Sequence, residues 1–122
     1  MTMENMELMD KPHRIPVNLR FTREHFEKLT KSLDPEDMED KWLIYTDGRV
    51  IHCHRSWTGY ETYRAELQPV ENGGYVITEI LAERNAEKYK NTNDERDAEL
   101  FPKLIAYLAL EVGVNEIQGE VA

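Results

Sequence analysis

"KWLIYTDGRVIHCHRSWTGYETY", residues 41–63, decides how the chain is read. Two apolar, β-branched runs meet at Asp47-Gly48, a dipeptide that accepts the positive φ angles of a two-residue hairpin turn. The runs then become paired strands. Tyr45 should lie opposite Val50, Ile44 opposite Ile51, Leu43 opposite His52 and Trp42 opposite Cys53. "SWTG" turns the chain again, "YETYRAELQ" follows as a third strand, and "PVENGG" leads into a fourth, "YVITEILAER". The reading is an antiparallel meander.

Working outward, residues 1–16 hold scattered methionines, charges, Pro12 and Pro16, and read as a mobile N-terminal arm. In "FTREHFEKLTKSL", Phe26, Leu29 and Leu33 recur at helical spacing behind Thr22, a natural N-cap. Pro35 suits the first position of a short extra turn. Beyond the strands, "NTNDERDAELFPKLIAYLALEVG" reads as a helix with an apolar stripe of Leu100, Phe101, Leu104, Ile105, Leu108 and Val112. Acidic residues crowd its start, where the helix dipole favours them. Gly113 should end it, and Pro102 should mark either its beginning or a bend. Residues 114–122 are left as a tail or a short edge strand. The expected fold is α+β: one domain over residues 17–113, a four-stranded antiparallel β-meander with an N-terminal and a C-terminal helix packed on one face.

With 32% charged and 40% apolar residues, the chain has the composition of a globular domain. No apolar run reaches the roughly 20 residues needed to span a bilayer, and the acidic start "MTMENMELMD" lacks the pattern of a secretory signal. A lone cysteine excludes an internal disulfide and fits a cytoplasmic location. The net charge of -9 repels phosphate backbones, so nucleic acid is an unfavourable partner and a basic protein a favourable one.

Strand periodicity sorts the candidate site residues. His52 and His54 share one face and Cys53 takes the other, so the three cannot form one local cluster. Cys53 reads as a small core hydrophobe. The histidines can share a metal ion only if a third ligand converges, and Glu61, across the turn from His54, is that candidate. A plain His–Glu ion pair is the simpler expectation, with no metal and no cofactor. His54 and Ser56 share parity and invite a nucleophilic reading, but nothing visible orients the histidine and no nucleophile elbow is present. Arg55 and Trp57, at a turn, are residue types that dominate interface hot spots. Asp94, Glu95 and Asp97, at the acidic start of the last helix, can rim such an interface.

"KWLIY", then "HRSWTG", then "ERNAEKY" and an acidic-headed final helix together resemble a family of small uncharacterised bacterial proteins marked by the "HRSWTG" hairpin. The resemblance covers roughly residues 41–110. It implies that His54, Arg55, Ser56, Trp57, Thr58 and Gly59 act together. Where the family has Asn-Arg after the fourth strand, this chain has Arg84-Asn85. The expected function is non-enzymatic binding of a protein partner, in the manner of an immunity protein or antitoxin, through Arg55, Trp57, Asp94 and Glu95. The alternative is a small hydrolase or metal-dependent enzyme centred on His52, His54, Arg55 and Ser56.

Overall fold

The computed structural model describes residues 8–30, 42–55, 59–71, 73–87, 89 and 93–118. They form an α+β fold built on an antiparallel sheet with strand order β1-β6-β4-β3-β2. The strands are β1 (Pro12–Phe21), β2 (Trp42–Asp47), β3 (Val50–Arg55), β4 (Glu61–Glu66), β5 (Gln68–Pro69) and β6 (Tyr75–Glu83). Strands β2, β3, β4 and β6 lie side by side in chain order, but the short β5 lies off this path and pairs with β6, so the sheet is not the simple four-stranded meander expected from the sequence.

A fifth full strand, β1, corrects the four-strand expectation. Residues 12–16, read as part of an arm, pair with β6 from Pro12↔Glu83 onward. Prolines argued against a strand there because they cannot donate to a ladder. An edge strand tolerates them, above all at its first residue and beside a bulge. Pro12 opens β1, and the register shifts between Pro16 and Leu19. Ile15, Leu19 and Phe21 are buried and Val17 half-buried, a period of two that marks the inward face. Residues 1–7 lie outside the described part, as do Leu33, the turn expected at Pro35, and residues 119–122.

The β2–β3 hairpin forms two residues out of the expected register. Asp47 pairs with Val50, Tyr45 with His52 and Leu43 with His54. The loop is therefore Gly48-Arg49, and Asp47 belongs to the strand. Gly48 has φ +62°, while Glu111 is the non-glycine residue with positive φ among the described residues. That sign pattern suits a type II′ turn with glycine first. A shift of two preserves side-chain parity, so the facing of every residue stands as expected.

Helix α1 (Arg23–Thr30) starts as the sequence indicates. The Thr22 hydroxyl accepts from the His25 amide at 3.1 Å, and His25 Nδ1 accepts from the Thr22 amide at 3.1 Å. This reciprocal cap has histidine where glutamate is usual. Helix α2 (Asp94–Leu104) is capped by the Asn93 side chain, which accepts from the Arg96 amide. Pro102 lies inside it, two residues before its end, so the helix does not begin there. Its missing N–H deprives the preceding turn of a bond, and the chain continues as a π-helical segment, Ile105–Leu110. The stop comes at Glu111 in the left-handed region, two residues before Gly113. Lys28 of α1 donates to the Leu110 carbonyl at 2.6 Å, tying the helices together.

Both helices cover one face of the sheet. Leu29, Phe101, Leu104 and Ile105 join Ile44, Ile51, Cys53, Tyr63, Ile80 and Ala82 in one buried core. Near the C-terminus, Ile117 is buried and its carbonyl accepts from the Arg20 amide at 2.7 Å, covering the end of β1's outer edge.

Candidate metal centre

The face of the sheet away from the helices carries Leu43, Tyr45, His52 and His54 by strand parity. Glu61 would not join them in a regular ladder. Cys53 pairs with Tyr63, but His54 pairs with Glu61, leaving Thr62 as an extra residue on β4. This β-bulge re-aims the Glu61 carboxylate from the core face to the histidine face. One potential ligand atom from each of His52, His54 and Glu61 then lies within 4.8 Å of the others. His54 is 0% exposed, Glu61 1% and His52 9%. The Tyr45 ring stacks over both imidazoles, with centroids at 4.8 and 5.6 Å.

Within this cluster the hydrogen bonds place Glu61 fully and His54 on one side alone. Glu61 Oε1 accepts from Arg64 Nη2 and from the Met9 amide at 3.1 Å. Its Oε2 is bonded to His52 Nδ1 and to Arg64 Nε at 3.2 Å. His54 Nδ1 lies 2.8 Å from the Gly59 carbonyl. A carbonyl only accepts, so Nδ1 carries the proton there. Gly59 adopts φ +77°, a conformation that suits glycine, at the loop that brings this carbonyl back. His54 Nε2 is buried and finds no hydrogen-bond partner among the described residues.

The electrostatics follow from burial and partners. Burial pushes the His54 pKa down, against smaller upward effects from the Gly59 carbonyl and Glu61, which favours the neutral ring. With Nδ1 protonated, its Nε2 then presents a bare lone pair. Burial alone would raise the Glu61 pKa, but hydrogen bonds from His52, Arg64 and Met9 outweigh it and hold the carboxyl at about 2. Burial also pushes the Cys53 thiol well above its ordinary range, as befits a core cysteine rather than a nucleophile.

A second polar cluster lies on the helix side. Tyr63 and Tyr89 donate to Asp97 Oδ1 at 2.6 and 2.8 Å, and Arg84 Nη2 donates to Asp97 Oδ2 at 2.6 Å. Arg84 also reaches Asp94 Oδ1 at 2.8 Å, and His13 contacts Asp94 Oδ2 at 2.9 Å.

The expected site residues are thus distributed. His52, His54 and Glu61 meet, although Glu61 bonds to His52 and not to its pairing partner His54. Arg55 sets its guanidinium over the Trp42 ring, 4.9 Å from the centroid. Asp94 is tied to Arg84 and His13, while Glu95 is exposed. Ser56, Trp57 and Thr58 lie outside the described residues. Sequence reasoning missed Arg64, whose place beside Glu61 depends on the bulge, and it set Asp97 on an exposed rim, whereas Asp97 is 0% exposed and bonded to Tyr63, Tyr89 and Arg84. Asp97 had a signal: it precedes Phe101 by four residues and Leu104 by seven, on the apolar stripe.

The chain matches no protein-family model, no curated protein and no solved structure. Among the described residues, no helix is long and apolar enough to cross a membrane.

Proposed function

We propose that this chain binds one divalent transition-metal ion, zinc by its ligand chemistry, through His52, His54 and Glu61. The observation that carries the reading is the buried His54 Nε2, without a partner among the described residues. A buried imidazole nitrogen left unpaired costs about 1–3 kcal/mol. A metal ion turns that cost into a bond, and the Nδ1–H bond to a backbone carbonyl is the usual outer support of a metal-ligating histidine. Two imidazoles and a carboxylate form a ligand set that suits zinc and leaves a fourth position for water. All three groups are buried, which favours an ion that braces β3 against β4 over one that meets substrate.

The test uses protein purified without a histidine tag and stripped of metal. Titration with cobalt(II) should give ligand-field bands that saturate at one equivalent and vanish on adding zinc. His54→Ala should abolish them. Absence of binding at millimolar metal, or equal binding by His54→Ala, would refute the reading.

Binding of a basic protein partner is supported by the net charge of -9. Its proposed contacts are now uneven, because Asp94 already serves Arg84 and His13 whereas Glu95 is exposed.

A further inference from the structure

Glu61 has no room for a metal ion as it stands. Its two oxygens take four hydrogen bonds: Arg64 and the Met9 amide on Oε1, and His52 and Arg64 on Oε2. A carboxylate in that state must give up a donor before it can become a ligand. The three donors differ in what their departure costs. The Met9 amide is fixed by the backbone that leads into β1, where Asp10 and Lys11 amides are likewise bonded to the buried Glu83 carboxylate. His52 is itself a ligand. Arg64 alone is a long side chain with somewhere to go: it is 29% exposed, and it lines an open cleft of about 270 Å³ on the same face of the sheet.

That cleft is also lined by Glu66, Glu79 and Leu81. Strand parity puts Arg64 and Glu66 on one face of β4, and Arg64 pairs across to Leu81, which shares its face with Glu79. Two carboxylates therefore stand beside the path that the guanidinium would take. Charge supplies the drive. A divalent ion held by Glu61 and a guanidinium on the same carboxylate repel each other in a buried setting where screening is weak.

We infer that Arg64 is the resident cation of the centre, which the metal ion displaces into the neighbouring cleft, so that this arginine sets metal affinity by competing for Glu61. The inference rests on the metal-binding reading. Arg64 touches no metal in this scheme. It is a positioning residue that holds Glu61 in the metal-free state and exchanges its place for the ion.

The experiment compares wild type, Arg64→Gln and Arg64→Lys as metal-stripped, untagged full-length proteins. Zinc affinity is read by competition with a chromophoric chelator, and melting temperature is read with and without zinc. Removing the competitor should tighten zinc binding by roughly tenfold. Arg64→Lys keeps the charge and should bring affinity back toward wild type. The melting temperature should fall in metal-free Arg64→Gln and recover with zinc, so the zinc-induced rise exceeds that of wild type. A merely structural arginine would lower both melting temperatures alike. If metal-free Arg64→Gln fails to fold, refolding driven by zinc supports the inference equally, and failure to refold with zinc overturns it. Wild type that binds zinc while Arg64→Gln binds equally or more weakly overturns the inference and leaves the metal reading standing. Failure of all three proteins to bind zinc or cobalt(II) overturns both.

Discussion

The two faces of the sheet hold polar clusters of similar make-up and opposite state. On the helix side, Asp97 is 0% exposed, its oxygens take up Tyr63, Tyr89 and Arg84, and Arg84 and His13 continue the chain of bonds to Asp94. On the other side, Glu61 is equally buried and equally well supplied with donors, but His54 beside it keeps a buried nitrogen without a partner among the described residues. Folding alone explains the first cluster: it ties α2 to Tyr63 of β4 and to Arg84, just beyond β6, and satisfies what it buries. The second leaves an unmet acceptor on a fully buried side chain. Such departures from local satisfaction concentrate at functional sites.

The sharpest way to break this contrast is to remove the centre of each cluster. Asp97→Ala strands the Tyr63 hydroxyl and the Arg84 guanidinium in a buried setting. It should destabilise the protein by about 3–5 kcal/mol in urea unfolding, the usual consequence of removing one partner of a buried ion pair. Zinc affinity of the folded fraction should not change. A loss below about 1 kcal/mol would mean that the cluster is slack and that α2 is held by apolar contacts alone.

His54→Leu should behave in the opposite way. The variant loses the bond to the Gly59 carbonyl but also removes the unpaired nitrogen, two effects of similar size, about 1–3 kcal/mol each, and of opposite sign. Metal-free stability should therefore shift by no more than about 1 kcal/mol, while the rise in melting temperature with zinc disappears. A destabilisation as large as that of Asp97→Ala would make the two clusters alike and both structural.

How much of this contrast could be read from sequence depends on which residues carry it. The faces of His52, His54 and Cys53 follow from a period of two, and they survived a register error because the error was itself two residues long. Turn chemistry caused that error: Asp-Gly suits the loop, but Gly48 alone satisfies the backbone when it stands first. Strand β1 was hidden by Pro12 and Pro16, although Ile15, Val17, Leu19 and Phe21 alternate correctly. An edge position, which only tertiary structure reveals, is what makes the prolines acceptable. Glu61 was legible as a candidate by its place across the turn. Its convergence with His52 was not, since it depends on the bulge at Thr62, and no composition cue marks a bulge of this kind. Arg64 was invisible for the same reason. Asp97 was legible as part of the acidic helix head but not as a buried group, because its charge groups it with Asp94 and Glu95 and away from the apolar stripe it belongs to.

The smallest expected effect separates Asp94 from Glu95, the acidic pair at the head of α2 that can meet a basic partner. Asp94 is in contact with the Arg84 guanidinium and the His13 ring, and Arg84 first, then His13, hold its carboxyl below the ordinary aspartate range. A lowered carboxyl pKa favours the native state at neutral pH, and that contribution fades as acid protonates the group. Asp94→Lys should therefore lower the melting temperature slightly at pH 7, and the difference from wild type should shrink as the pH falls through the folded-state pKa. Glu95→Lys, at an exposed position, should leave the melting temperature within error. Both reversals reduce the negative field equally, so both should slow association with a basic partner to the same degree at low salt if the acidic helix head is an interface. Slower capture by Glu95→Lys with unchanged stability would place partner binding on the helix side and metal binding on the other. Unchanged capture by both variants would leave Asp94 to the internal cluster alone and remove the helix head from the interface.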